Sequence, residues 1–395
     1  MSDNPVKVWL IAGETSGDMY GARLAAELRR LAADNAREVA ISGMGGIKMR
    51  EAGVEILVDS TELDVMGIFA VLRSLGKFIK LLRYLTRLAE KERPDTVVLI
   101  DYPGFNMSLA RWLHRKGIKV VWYISPQVWA WKKYRIKQLA RDCRKMLVIF
   151  PFEVGVYTET TELDTEFVGH PLLEMVANRR DPAIIRDPNL VVLLPGSRKS
   201  EVNRLLYPML HTAKLLGQKH PNLTFKVAAS RKKIFELCNG IYAKFKRRHP
   251  DAPDIDIVLG ETHYLQQKAG TGLAASGTVT VESAVTGLPL VVVYRLSWIT
   301  IILAAMVIRL YRGFFTMVNV ILNKPAFEEF LQWQVTPRNL SAAVERILPG
   351  GERREAVEQD MAELVKVLSP ESHSGGNALA SAAASIYSTA TEGNK

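Results

Sequence analysis

Short, unbroken apolar runs alternate with longer stretches in which apolar residues return every three or four positions, and the alternation persists along nearly the whole chain. In the first half the runs are Val6–Ala12, Val39–Ser42, Thr96–Asp101, Val120–Ile124, Met146–Phe150 and Phe167–Val168. Between them, helical spacing predicts helices over Met19–Ala33, Met66–Glu90, Met107–Lys116 and Lys133–Cys143. A second series restarts with Leu190–Leu194, Leu223–Ala228, Ile255–Leu259, Thr271–Ala275 and Leu288–Tyr294. Continuous Val, Ile and Leu runs separated by helices predict parallel strands buried on both faces. Residues 175–189 are polar and carry two Asp-Pro pairs, so they read as a linker. The expected class is α/β, with two Rossmann-like, doubly wound domains, residues 1–174 and 190–354, facing across a cleft at the C-terminal ends of their sheets. The Ala-rich helical tail, 355–395, is expected to pack back on the first domain.

Composition narrows the partners. The chain has 395 residues, 48% hydrophobic and 24% charged, which suits two domains with real cores. Its net charge of +11 points to an anionic partner: phosphorylated substrates, nucleic acid or an anionic membrane face. Cys143 and Cys238 show neither metal-type nor disulfide-type spacing, and the acidic start MSDNPVKVWLIAG does not resemble a signal peptide, so a cytoplasmic setting is expected. No apolar run reaches the ~20 residues of a membrane-spanning helix. The nearest is Leu296–Ile308, better suited to a core or interfacial helix.

The candidate chemistry gathers where predicted strands end. Val191–Arg198 (VVLLPGSR) runs into a helical pattern. Gly196 permits close backbone approach, the helix start offers unpaired N–H groups beside Ser197, and Arg198 adds a planar cation suited to two phosphate oxygens. In the same half, Ser276, Gly277 and Thr278 open another helix, Glu282 can accept both hydroxyls of a ribose, and Tyr294-Arg295 ends the next run. Together these segments suit a nucleoside diphosphate.

In the first half, Asp101 ends a buried strand, where a carboxylate is costly without a partner or a task. It is placed to take a proton from an attacking hydroxyl, the alternative being a cap on its own turn. The first strand–helix junction carries Gly13, Glu14, Ser16, Gly17 and Asp18 and lacks the dinucleotide fingerprint. Its carboxylates suit sugar hydroxyls or an acceptor, a helix cap being equally compatible. Gln127, Trp129 and Trp131 precede a basic stretch that fits sugar or acyl stacking, a packed loop, or RNA. Met66–Glu90 is basic and amphipathic, with Met66, Ile68, Phe69 and Leu72 at its start. Periodicity alone makes it a helix packed on its sheet, while its added apolar residues suit a bilayer surface. Asp254-Ile255-Asp256 reads as the beginning of a strand, so no metal is assigned, and His263 is grouped with surface histidines. His170 is a weaker cleft candidate.

Taken in order, AGETSGD (Ala12–Asp18), VMGI (Val65–Ile68), IDYPGFN (Ile100–Asn106), YISPQVWAW (Tyr123–Trp131), FVGHP (Phe167–Pro171), LLPGSRKSEV (Leu193–Val202), ASGTVTVE (Ala275–Glu282) and YR (Tyr294–Arg295) resemble the lipid-A-disaccharide synthase family. The resemblance spans almost the whole chain. It implies the glycosyltransferase B fold, no cofactor, and inverting transfer of diacylglucosamine from UDP to diacylglucosamine 1-phosphate, a lipid monosaccharide acceptor. It also implies peripheral association with the cytoplasmic face of the inner membrane and no nucleic acid, and it admits a homodimer. Asp101 then matches the family's essential carboxylate, with Glu14 beside it as a second catalytic candidate, and Arg198 its essential arginine. Asn319 joins the nucleotide site; Asn106, Gln127 and Trp129 join the acceptor side. Gln127 stands where the family has serine, Val318 where it has proline, and Lys324 where it has arginine. A UDP-N-acetylglucosamine 2-epimerase or another transferase on the same fold, or a basic RNA- or membrane-binding protein, remain the alternatives.

Overall fold

The structure, a computed structural model, describes residues 4–60, 75–128, 134–295, 313–369 and 377–392. The chain forms two compact units, one holding residues up to Pro171 together with those from Leu368 onward, the other holding Leu172–Val367.

The first unit is built on seven parallel strands: β1 (Val6–Ala12), β2 (Val39–Gly45), β3 (Glu55–Asp59), β4 (Thr96–Ile100), β5 (Val120–Tyr123), β6 (Lys145–Val148) and β7 (Asp164–Phe167). Their order is β3-β2-β1-β4-β5-β6-β7, so the winding reverses between β1 and β4. Every residue of β4 is buried, which is what a strand covered on both faces requires. The turns after β1 and β4 therefore open at the crevice where ligands of such sheets bind. β3 escapes the hydrophobic pattern because it is an edge strand, short and only half-buried.

The helix Leu75–Glu92 packs Leu82, Leu85 and Ala89 into the core, and Phe78 meets Phe105 edge-on with centroids 5.2 Å apart. Over its described length the apolar stripe is thus used in packing, and Phe78 and Leu81 do not widen a free surface. Lys80, Arg83 and Arg87 remain on the exposed side. Met66, Ile68, Phe69 and Leu72 lie outside the described residues, as does the apolar run 296–308. No helix among the described residues is long and apolar enough to cross a membrane. The helix Ala378–Thr391 packs on the helix Thr15–Asp34 and on β1 and β4. Lys119 ties down its end through the carbonyls of Thr389 and Glu392.

The second unit carries six parallel strands: β8 (Asp187–Leu194), β9 (Thr224–Ala229), β10 (Ile255–Leu259), β11 (Ala269–Ala275), β12 (Leu290–Tyr294) and β13 (Glu328–Leu331). Their order, β10-β9-β8-β11-β12-β13, reverses between β8 and β11. Part of the expected linker is ordered structure: a helix covers Leu172–Ala177 and β8 already starts at Asp187. Arg186 explains the anchorage, because its guanidinium donates to the carbonyls of Gln266 at 3.2 Å and Thr286 at 3.0 Å, and also to that of Ala269. The helical tail divides between the units. Its first helix, Arg354–Leu368, joins the second unit, where Arg354 donates to the Gly270 carbonyl at 2.8 Å.

Candidate active site

Asp101 and Tyr102 follow β4 with φ of 45° and 49°, both left-handed. Two such residues in succession cost of order 1–3 kcal/mol each, so the surroundings must enforce the turn. The Asp101 N–H donates to the Tyr123 carbonyl at 3.0 Å. From below, the buried Asn106 side chain donates to the carbonyls of Asp101 at 2.7 Å and Ile100 at 3.3 Å. Asn106 therefore shapes the turn from inside the fold and is not an acceptor-contacting surface residue. Burial, reinforced by the charge of Glu14 and opposed by a hydrogen bond from the Tyr102 N–H, pushes the Asp101 carboxyl up to about 6. A carboxylate with that value can accept a proton near neutral pH more readily than an ordinary aspartate.

The neighbouring turn fits around it. A Cβ on Gly13 would stand 2.1 Å from the Tyr102 ring, so only glycine lets that ring lie there. Glu14 and Ser16 are exposed at the start of the helix, whereas Gly17 is buried against Ala12, where a Cβ would approach the Ala12 Cβ to 3.3 Å. Asp18 corrects the sequence expectation. It is 6% exposed, and its two oxygens accept the N–H groups of Gly46 at 2.6 Å, Lys48 at 2.9 Å and Met49 at 3.1 Å. Its carboxylate secures the start of the next helix and has no role left in holding an acceptor.

In the second unit, the C-terminal ends of β8, β9 and β11 border a cavity of about 420 Å³ lined by Gly196, Ser197, Arg198, Ser230, His263, Ser276, Gly277, Thr278 and Glu282, among others. Gly196 has φ +105°, and a Cβ there would come within 2.4 Å of the Glu201 carboxylate. Glu201 accepts the N–H groups of Ser197 and Arg198, each at 3.2 Å, and pairs with the Arg198 guanidinium at 3.3 Å. The Glu201 carboxylate thus caps the N–H groups where the helix Lys199–Lys219 begins. The Arg198 side chain is 78% exposed, which leaves it able to turn toward a second anion. Across the cavity, Glu282 is 14% exposed and held by His263 Nδ1 at 2.7 Å, with Arg179 at 3.9 Å.

Sequence reasoning missed His263. It stands just after the C-terminal end of β10, a position from which a side chain can reach the mouth of the sheet, and that placement was the only signal available. Conversely, two predicted nucleotide contacts belong to the scaffold. Arg295 donates to the carbonyls of Gln332, Val335 and Arg204 at 3.2, 3.1 and 3.5 Å. Asn319 is fully buried, exchanges hydrogen bonds with the Phe327 backbone at 2.7 and 2.8 Å, and donates to Glu329 at 2.8 Å. Neither side chain lines the cavity, nor does Tyr294. Gln127 is exposed, and Trp129 lies outside the described residues. Lys324 pairs with Asp360 at 2.5 Å and Glu363 at 2.6 Å, away from the cavity lining. His170 is buried, which lowers it to about 3 and keeps its ring neutral. Asp254 and Asp256 form separate ion pairs with Lys246 at 2.9 Å and Lys226 at 3.4 Å, as side chains at the beginning of a strand do.

The family model described as lipid-A-disaccharide synthetase matches residues 8–384. The lipid-A-disaccharide synthase of Koribacter versatilis is 39% identical over 370 residues, covering 91% of this chain and 92% of that protein. That of Coxiella burnetii strain RSA 331 is 36% identical over 361 residues, covering 89% and 91% respectively. Among solved structures, the UDP-GlcNAc 2-epimerase of Neisseria meningitidis bound to UDP-GlcNAc aligns with TM-score 0.64 at 11% identity, over 97% of this chain and all of that one. The calicheamicin glycosyltransferase aligns with TM-score 0.58 at 14% identity over 98% of each chain. At such identities the structural likeness shows the fold, which is that of the glycosyltransferase B class.

Proposed function

The chain belongs to the lipid-A-disaccharide synthetase family and is a glycosyltransferase of lipid A biosynthesis, and from that premise we propose how its residues divide the reaction. The donor, UDP-2,3-diacylglucosamine, binds in the cavity of the second unit. The exposed Arg198 guanidinium takes the diphosphate, and Glu282 takes the ribose hydroxyls. The observation that carries this reading is the cavity at the β8/β11 reversal, which joins the exposed Arg198 guanidinium to the Glu282 carboxylate.

The acceptor is 2,3-diacylglucosamine 1-phosphate. Its 6-hydroxyl oxygen attacks C1 of the donor sugar from the face opposite UDP. The bond from C1 to the β-phosphate oxygen breaks with inversion, and Asp101 takes the hydroxyl proton. UDP leaves with an added negative charge, which Arg198 stabilises. The products are the β-1,6-linked disaccharide 1-phosphate and UDP. Burial first, and the charge of Glu14 second, keep the Asp101 carboxyl basic enough for its task.

Both substrates carry acyl chains, so the enzyme works at the cytoplasmic surface of the inner membrane. The exposed Lys80, Arg83 and Arg87 and the net charge of +11 support that placement by attracting anionic headgroups. Incubating the purified protein with both acylated sugars should yield disaccharide and UDP in equal amounts by mass spectrometry. Epimerisation of a UDP-sugar without disaccharide would overturn the reading.

A further inference from the structure

Around the diphosphate assigned to the second unit's cavity, the lining residues supply little net positive charge. Glu201 accepts the N–H groups of Ser197 and Arg198, each at 3.2 Å, and pairs with the Arg198 guanidinium at 3.3 Å. Glu282 has Arg179 at 3.9 Å. Each of these lining carboxylates is matched by an arginine, whereas a diphosphate brings more than one further negative charge. We propose that Arg231 is the second cation of the donor site and contacts the diphosphate beside Arg198. The inference rests on the assignment of the nucleotide to this cavity and deepens it.

The place of Arg231 follows from the ends of two paired strands. Ser197 follows β8, Ser230 follows β9, and both line the cavity. Arg231 comes next, exposed, and its Nη2 donates to the Ser197 carbonyl at 3.2 Å. That bond carries the guanidinium from the end of β9 to the loop that bears Arg198. A guanidinium presents five N–H donors in one plane. Among the described residues, the Ser197 carbonyl is the one partner of this side chain, and no carboxylate pairs with it. Arg198, by contrast, shares its charge with Glu201. Arg231 is therefore a cation pinned by one edge at the cavity rim, with its other edge free for phosphate oxygens. Pinning also lowers the conformational entropy that so long a side chain gives up when it binds.

The test measures UDP and uridine affinity by titration calorimetry on the full-length protein. Arg231→Gln should weaken UDP by about tenfold, as a charge-assisted contact is lost, and leave uridine within about twofold. Arg231→Lys keeps the charge and should hold UDP within about threefold of the wild type. Melting temperatures, expected to match the wild type because Arg231 is exposed, check that each variant is folded. A residue that merely held the Ser197 loop would act through Arg198. In an Arg198→Ala background, Arg231→Gln should therefore still cost about fivefold if it touches the diphosphate itself. No further loss in that background overturns the inference. So does a Lys variant as weak as the Gln variant, or an equal loss of UDP and uridine. If Arg198→Ala weakens UDP and Arg231→Gln does not, the inference falls and the diphosphate assignment stands. If neither substitution changes UDP affinity, the assignment and the inference fall together.

Discussion

Two carboxylates at the mouths of two parallel sheets have been given opposite environments. Asp101 sits in a left-handed turn, buried, with another carboxylate nearby, and is raised to about 6. Glu282 sits among basic side chains: His263 Nδ1 stands 2.7 Å from it and Arg179 adds a positive charge at 3.9 Å. The first arrangement destabilises the anion and favours proton uptake, whereas the second surrounds its carboxylate with basic side chains. On the proposed assignment, the same chemistry of side chain serves as a base in one unit and an anchor in the other, and what surrounds each decides which.

The sharpest way to break this contrast is to remove the base. Asp101→Ala should lower kcat by about a thousandfold, the scale of general-base catalysis, with UDP affinity within twofold of the wild type. Wild-type turnover in that variant would remove Asp101 from the mechanism. Arg198→Ala should act on the other side of the comparison, weakening UDP binding by about ten- to a hundredfold as a charge-assisted contact is lost. Unchanged affinity by calorimetry would place the diphosphate elsewhere.

A subtler change sharpens the comparison. Glu14 raises Asp101 through its charge, so Glu14→Gln should lower the Asp101 pKa and leave the base deprotonated at more acid pH. The acid limb of kcat/KM, expected near pH 6 in the wild type, should move to lower pH by less than one unit. A limb that stays in place, or moves upward, contradicts the assigned coupling.

Much of this was legible from the chain, and the exceptions have a common physical cause. Strands buried on both faces, such as β4, announce themselves as unbroken apolar runs, and the two series of strands follow from that. The edge strands β3 and β13 do not, since neither has a fully buried side chain and each carries acids in its short span. Strand-end residues such as Asp101 and Arg198 stand out as site candidates because position and residue type agree. Asp18, Arg295 and Asn319 have suitable types and suitable positions too, yet their polar atoms are already engaged by backbone groups of other elements. His263 went unread for the converse reason: a histidine at the start of a short helix looks like any surface histidine until a distant Glu282 arrives beside it. Residue type at a strand end predicts a capacity to bind; which atoms remain free is a property of the tertiary structure.

The smallest expected effect concerns stability, where the two carboxylates should again part. A folded-state pKa raised above the unfolded value means that folding disfavours the charged form. For Asp101 that penalty is absent below about pH 4, grows as pH rises, and is complete above about pH 6. Asp101→Asn removes the charge while keeping a side-chain oxygen for the Tyr102 N–H, and asparagine tolerates the left-handed turn as readily as aspartate. The variant should therefore be more stable than the wild type by roughly 2–3 kcal/mol at pH 7.5 and no more stable at pH 4, although it lacks activity. Glu282→Gln should show no such gain at pH 7.5, because its anion is paired with His263 and Arg179. Denaturant unfolding at the two pH values measures both. A destabilised Asp101→Asn at pH 7.5 would mean that the buried carboxylate has a compensating partner, and the contrast between base and anchor would lose its physical ground.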